Sequence, residues 1–96
     1  MPGGIDMSPR VLVVEDDGAI AELLRYNLEA EGYRPTVVPS GEEAELQVAE
    51  DRFDLAIVDW MLPGLSGIEL CRRLRRREDT RNVPILMLTA RGEEDD

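Results

Sequence analysis

Apolar residues gather into short runs separated by stretches of helical spacing. Val11-Leu12-Val13-Val14 and Leu55-Ala56-Ile57-Val58 have no polar alternation, as expected of strands buried on both faces of a parallel sheet. The spacing predicts a first strand over Arg10–Val14, a weaker second over Arg34–Val38, a third over Leu55–Asp59 and a fourth over Pro84–Thr89. Pro84 can open a strand because the first residue need not donate to the ladder.

Between them lie three helical patterns. Ile20, Leu23, Leu24 and Leu28 recur at helical spacing, and Gly32 is the expected stop. Ser40-Gly41-Glu42-Glu43 and Ser66-Gly67-Ile68-Glu69 both carry Ser with Glu three residues on, a capping-box signature of a helix start. The second helix is expected to reach about Arg52 on a thin apolar side of Ala44, Val48 and Ala49, with Leu46 out of phase. The third is expected to reach about Glu78. Met1 to Pro9, with its prolines and glycines, reads as a disordered leader, and Glu93–Asp96 as the frayed start of another helix.

Strands alternating with helices in the order βαβαβαβ imply right-handed crossovers and one α/β domain on a parallel sheet, over residues 10–96. A doubly wound sheet ordinarily continues with a further helix and strand, so an incomplete domain is the expectation.

Charge narrows the function classes. The formal net charge is −10, which argues against direct contact with nucleic acid or an anionic membrane. No apolar run is long enough to span a bilayer. The single cysteine forms no internal disulfide, consistent with the cytoplasm. Histidine and lysine are both absent, which excludes imidazole chemistry and any lysine-dependent step within these residues.

The strand ends carry the acids. Strand one runs into Glu15-Asp16-Asp17, strand three into Asp59, and strand four into Thr89. Ligands of open α/β sheets bind at these carboxyl ends. If strands one and three are neighbours, the carboxylates converge. Two of them about 5 Å apart repel by roughly 3 kcal/mol at an effective dielectric near 20. A hard divalent cation offsets that, and an all-oxygen site suits Mg²⁺ or Mn²⁺. Each residue also has a plainer role: Asp59 shaping a turn, Glu15 to Asp17 complementing a helix dipole, Thr89 as an ordinary β-branched strand residue.

Val11-Leu12-Val13-Val14-Glu15-Asp16-Asp17, Asp59-Trp60-Met61-Leu62-Pro63-Gly64-Leu65-Ser66-Gly67 and Leu88-Thr89-Ala90-Arg91-Gly92 together resemble the receiver domain of bacterial two-component response regulators, of the OmpR/PhoB class and its phosphate-regulon members. The resemblance implies a flavodoxin-like doubly wound parallel sheet with strand order 2-1-3-4, the fifth strand missing. It implies Asp59 as phosphoacceptor from a sensor histidine kinase, and Mg²⁺ (or Mn²⁺) held by Glu15, Asp16, Asp59 and the backbone carbonyl of Met61. Thr89 would be the switch hydroxyl and Ala90 the small residue leaving room for the phosphoryl group. Such a domain is a phosphoacceptor, not a turnover enzyme, and controls transcription through a DNA-binding domain. The family's lysine at the end of a fifth strand has no counterpart here, so phosphorylation without phosphorylation-driven dimerisation is expected. Self-association is expected instead through an exposed strand-four edge.

Other features read more plainly. Arg72, Arg73, Arg75, Arg76 and Arg77 suggest a solvated basic face, and Cys71, in phase with Leu74, a small core residue. Trp60 is expected over the site or its loop. Val14-Glu15-Asp16-Asp17-Gly18 also resembles the Asp-x-Asp-Gly motif of haloacid-dehalogenase-type phosphatases, but Glu15 stands where that family has its nucleophilic Asp, and the lysine it uses is absent. A receiver fold serving only as an interaction module is the remaining alternative.

Overall fold

The computed structural model describes residues 7–88. The elements are β1 (Arg10–Val14), α1 (Gly18–Ala30), β2 (Arg34–Val38), α2 (Gly41–Glu50), β3 (Leu55–Asp59), α3 (Gly67–Arg76) and β4 (Ile85–Leu88). The strands form one parallel sheet in the order β2-β1-β3-β4. Thr89, read as the end of the fourth strand, lies outside the described residues, as do the rest of the chain to Asp96 and the first six residues of the expected leader.

Alternation along the strands divides the core between the two faces. Leu12, Val14, Ala56 and Val58 pack with Val38, Ala44, Val48, Leu62, Leu70 and Leu74 beneath α2 and α3. Val11, Val13 and Ile57 face the other way, against Leu24 and Leu28 of α1. Val11 to Val14 are wholly buried, each at 0% exposure. The unbroken apolar run follows from this two-sided cover.

The helix starts follow their sequence signals. Ser40 Oγ accepts from the Glu43 N–H and Ser66 Oγ from the Glu69 N–H, both at 3.1 Å. Asp17 caps α1, its Oδ1 accepting from the N–H groups of Ala19 (2.9 Å) and Ile20 (3.2 Å). At the other end of α1, Gly32 N–H donates to the Glu29 carbonyl and Tyr33 N–H to that of Leu28, a Schellman pairing.

Several expectations need correction. Leu23, expected on the apolar face of α1, is 60% exposed. Ala49 is exposed rather than part of the buried side of α2, and α2 ends at Glu50. Helix α3 ends at Arg76 rather than near Glu78, with Arg77 in extended backbone. Buried Thr80 explains part of this stop: its hydroxyl donates to the Leu74 carbonyl at 2.6 Å, satisfying a group at the helix end. The arginines of α3 form the solvated basic face expected, with Arg72, Arg73, Arg75 and Arg76 exposed, but two of them also make tertiary contacts. Arg73 pairs with Glu45 of α2 at 2.9 Å, and Arg75 Nη1 donates to the carbonyls of Arg81 (2.9 Å) and Val83 (2.7 Å), fixing the approach to β4. Ser8 and Pro9, read as leader, lie beside β2: Arg34 N–H donates to the Pro9 carbonyl at 2.9 Å and its guanidinium to that of Ser8.

Candidate functional site at the strand ends

The register fixes the site. Val14 is paired with Val58, so the next residues, Glu15 and Asp59, leave the sheet side by side. Glu15, Asp16 and Asp59 each present a carboxylate oxygen, and these atoms lie within 4.8 Å of one another. Glu15 is 5% exposed and Asp59 7%, while Asp16 is open to solvent. The three line a cleft with Asp17, Ile20, Met61 and Leu88.

Backbone donors hold the buried pair in place. Asp17 N–H donates to Glu15 Oε2 at 3.0 Å, and Met61 N–H to Asp59 Oδ1 at 3.1 Å. Among the described residues no arginine forms an ion pair with any of the three acids. Burial pushes the Glu15 carboxyl above the ordinary glutamate range; the negative charge of Asp59 adds to the rise, and the Asp17 N–H opposes it. An acid cluster with hard oxygen donors, two members buried and no internal counter-charge, fits a divalent cation such as Mg²⁺.

Helix α3 closes tightly over the end of β3. A Cβ on Gly67 would lie 2.2 Å from the Asp59 carbonyl oxygen and 3.0 Å from Trp60 Cα. Only glycine allows this approach, and Gly67 N–H donates to the Trp60 carbonyl at 3.3 Å. Trp60 is 45% exposed and is not among the residues that line the cleft. Trp60 N–H donates to the Leu88 carbonyl at 2.8 Å, so β4 runs up to the site at Leu88, directly before Thr89.

The model of the response regulator receiver domain matches residues 11–96. The chain belongs to this family. It is 60% identical over 88 residues to the phosphate regulon transcriptional regulatory protein PhoB of Rhizobium meliloti (strain 1021), covering 92% of this chain and 39% of that protein. Among solved structures, a response regulator from Chloroflexus aurantiacus superposes with a TM-score of 0.86 at 42% identity, covering 90% of this chain and 70% of that one. The receiver domain of a sensor histidine kinase from Pseudomonas aeruginosa, described with a magnesium ion coordinated in its active site cleft, gives 0.85 at 34% identity, covering 93% of this chain and 73% of that one. The chain is thus a receiver domain of the two-component response regulator type, similar to PhoB, with the four-stranded order expected from its motifs. Among the described residues, no helix is long and apolar enough to cross a membrane.

The receiver motifs thus put Glu15, Asp16, Asp59 and Met61 around one cleft. Two further contributors gave little sequence signal. Ile20 lines the cleft from α1 and is 38% exposed, although its spacing suggested a core position. Glu42, which looks like an acidic first-turn residue of α2, accepts from Leu65 N–H in the loop after Asp59 at 3.2 Å. A bond spanning 23 residues leaves no local pattern to read.

Proposed function

We propose that this receiver accepts a phosphoryl group on Asp59 from the phosphohistidine of a sensor kinase, and so controls transcription through a DNA-binding domain elsewhere in the full protein. The observation that carries this is the trio Glu15, Asp16 and Asp59 within 4.8 Å, without an arginine partner among the described residues. Asp59 supplies the nucleophilic oxygen. Its attack forms the new P–O bond of an acyl phosphate as the P–N bond to the donor imidazole breaks, the electron pair staying on that nitrogen. Glu15, Asp16, Asp59 and the Met61 carbonyl would hold Mg²⁺ or Mn²⁺, which when bound supplies positive charge against the phosphoryl oxygens. Met61 N–H orients Asp59 by holding Oδ1, which leaves the other carboxylate oxygen for attack.

Thr89, next after Leu88, is in sequence position to donate its hydroxyl to the phosphoryl group. The receiver is consumed and regenerated once per signal rather than turning over substrate. Helix α1 beside the cleft exposes Ile20, Leu23 and Tyr26, a surface suited to a kinase helix. The cytoplasm is the compartment this function requires.

The test is incubation with a small phosphodonor, with and without Mg²⁺, followed by intact mass measurement and peptide mapping. One base-labile phosphoryl group on Asp59, dependent on Mg²⁺ and lost in Asp59→Asn, is expected. A label mapped to Asp54 or Asp16, or one indifferent to Mg²⁺, would refute the assignment.

A further inference from the structure

The loop from Trp60 to Ser66 links Asp59 to α3 and carries Met61, whose N–H holds the Asp59 carboxylate. Two of its restraints lie within the β3–α3 connection itself: Met61 N–H to Asp59 Oδ1, and Gly67 N–H to the Trp60 carbonyl. A third comes from a different element. Glu42, in the first turn of α2, reaches across to accept from Leu65 N–H at 3.2 Å. Leu65 is gripped there a second way, because its side chain packs on Gly41, where a Cβ would lie 3.0 Å from Leu65 Cδ2. Between the two, Gly64 takes φ +69°, and a Cβ on it would lie 3.0 Å from Glu42 Oε2. The start of α2 is therefore shaped to receive this loop.

We propose that Glu42 is a positioning residue for the phosphoacceptor site: its carboxylate pins Leu65 and so holds the Met61 segment in the arrangement that presents Asp59 and the Met61 carbonyl to a divalent cation. Glu42 touches neither the acid trio nor the phosphoryl group; it acts through the loop backbone. The proposal rests on the reading of this site as a cation-dependent phosphoacceptor. Its chemistry requires only an acceptor oxygen at Glu42, not a negative charge, and this separates it from an electrostatic role. Glu43 supplies the matched comparison, as it shares the first turn of α2 and its charge there but its side chain is not the acceptor for Leu65.

The experiment compares Glu42→Ala, Glu42→Gln and Glu43→Ala with the parent chain. Two quantities are read: exchange of the Leu65 amide hydrogen, and Mg²⁺ affinity from Trp60 fluorescence. Loss of one hydrogen bond between partly exposed groups is expected to speed Leu65 exchange and weaken Mg²⁺ binding by about three- to five-fold in Glu42→Ala. Glu42→Gln, which keeps an acceptor, should stay within about two-fold of the parent on both, as should Glu43→Ala. Faster Leu65 exchange with unchanged Mg²⁺ affinity would overturn the proposal, leaving Glu42 a loop tether without a role at the site. Equal loss in Glu42→Gln and Glu42→Ala would also overturn it, in favour of a charge effect. Failure of the parent chain to bind Mg²⁺ at all, with Leu65 exchange still responding to Glu42→Ala, would instead overturn the phosphoacceptor reading and this inference with it.

Discussion

β1 and β4 both run parallel to β3, each paired over four residues, yet they are different kinds of strand. Val11 to Val14 of β1 are at 0% exposure, whereas Leu86 and Met87 of β4 are 56% and 38% exposed. Pairing in the sheet is common to both, so hydrogen bonding does not account for the difference. Helices do: α1 covers one face of β1 and α2 with α3 the other, while among the described residues only Ile85 and Leu88 of β4 reach the two cores, one on each face. The acids Glu15 and Asp59 emerge from the doubly covered pair. A buried, well-packed base lets like charges stay close, because moving them apart would disturb both cores.

The comparison breaks most plainly under truncation. Leu12→Ala in β1 should cost about 2–5 kcal/mol, and Leu86→Ala in β4 no more than about 0.5 kcal/mol, measured by chemical denaturation. Similar losses at the two positions would mean that β4 is covered as well as β1. Next in size is the close approach of α3. Gly67→Ala should cost about 1–3 kcal/mol and slow labelling by a phosphodonor, since the new methyl meets the Asp59 carbonyl; Gly18→Ala, where a Cβ meets nothing within 4 Å, should be close to neutral. Equal tolerance at both would show that α3 stands further from β3.

Adjacent acids after β1 should then separate. Asp17→Ala removes the α1 cap and should cost about 1 kcal/mol of stability with Mg²⁺ affinity retained, whereas Asp16→Ala should weaken Mg²⁺ binding with little loss of stability. The smallest effect is in pH. With the folded Glu15 carboxyl raised, the folded chain binds the proton more tightly than the unfolded one. Without Mg²⁺, its contribution to stability therefore falls as pH rises from the ordinary glutamate range to the raised value, and is level on either side. Denaturation at successive pH values on the parent and Glu15→Gln reads this directly; a parent curve that rose through that window relative to Glu15→Gln would contradict the sign.

The sequence is most transparent where local chemistry and tertiary cover agree. The apolar runs of β1 and β3 are buried, and Ser40, Ser66 and the turn at Gly32 mark helix ends because those signals are local. The gathering of Glu15, Asp16 and Asp59 was legible as a conditional, since it needed only that β1 and β3 be neighbours. It was least transparent where long-range contacts decide. Leu23 has helical phase but faces outward, because the α1-side core is small and Leu24 and Leu28 already meet it. The early end of α3 depends on Thr80 and Arg75 binding backbone carbonyls beyond their own turn, and Glu42 on a partner 23 residues away.

The central claim is that the fold holds uncompensated acids together for a cation to stabilise. Equilibrium unfolding of the parent and Asp59→Asn, each with and without Mg²⁺, tests it most directly. Removing one of the like charges should make Asp59→Asn more stable than the parent by roughly 1–3 kcal/mol in the absence of Mg²⁺. Added Mg²⁺ should stabilise the parent and largely close that gap, with a much smaller effect on the variant. A parent indifferent to Mg²⁺, or an Asp59→Asn variant less stable than the parent without it, would contradict the account.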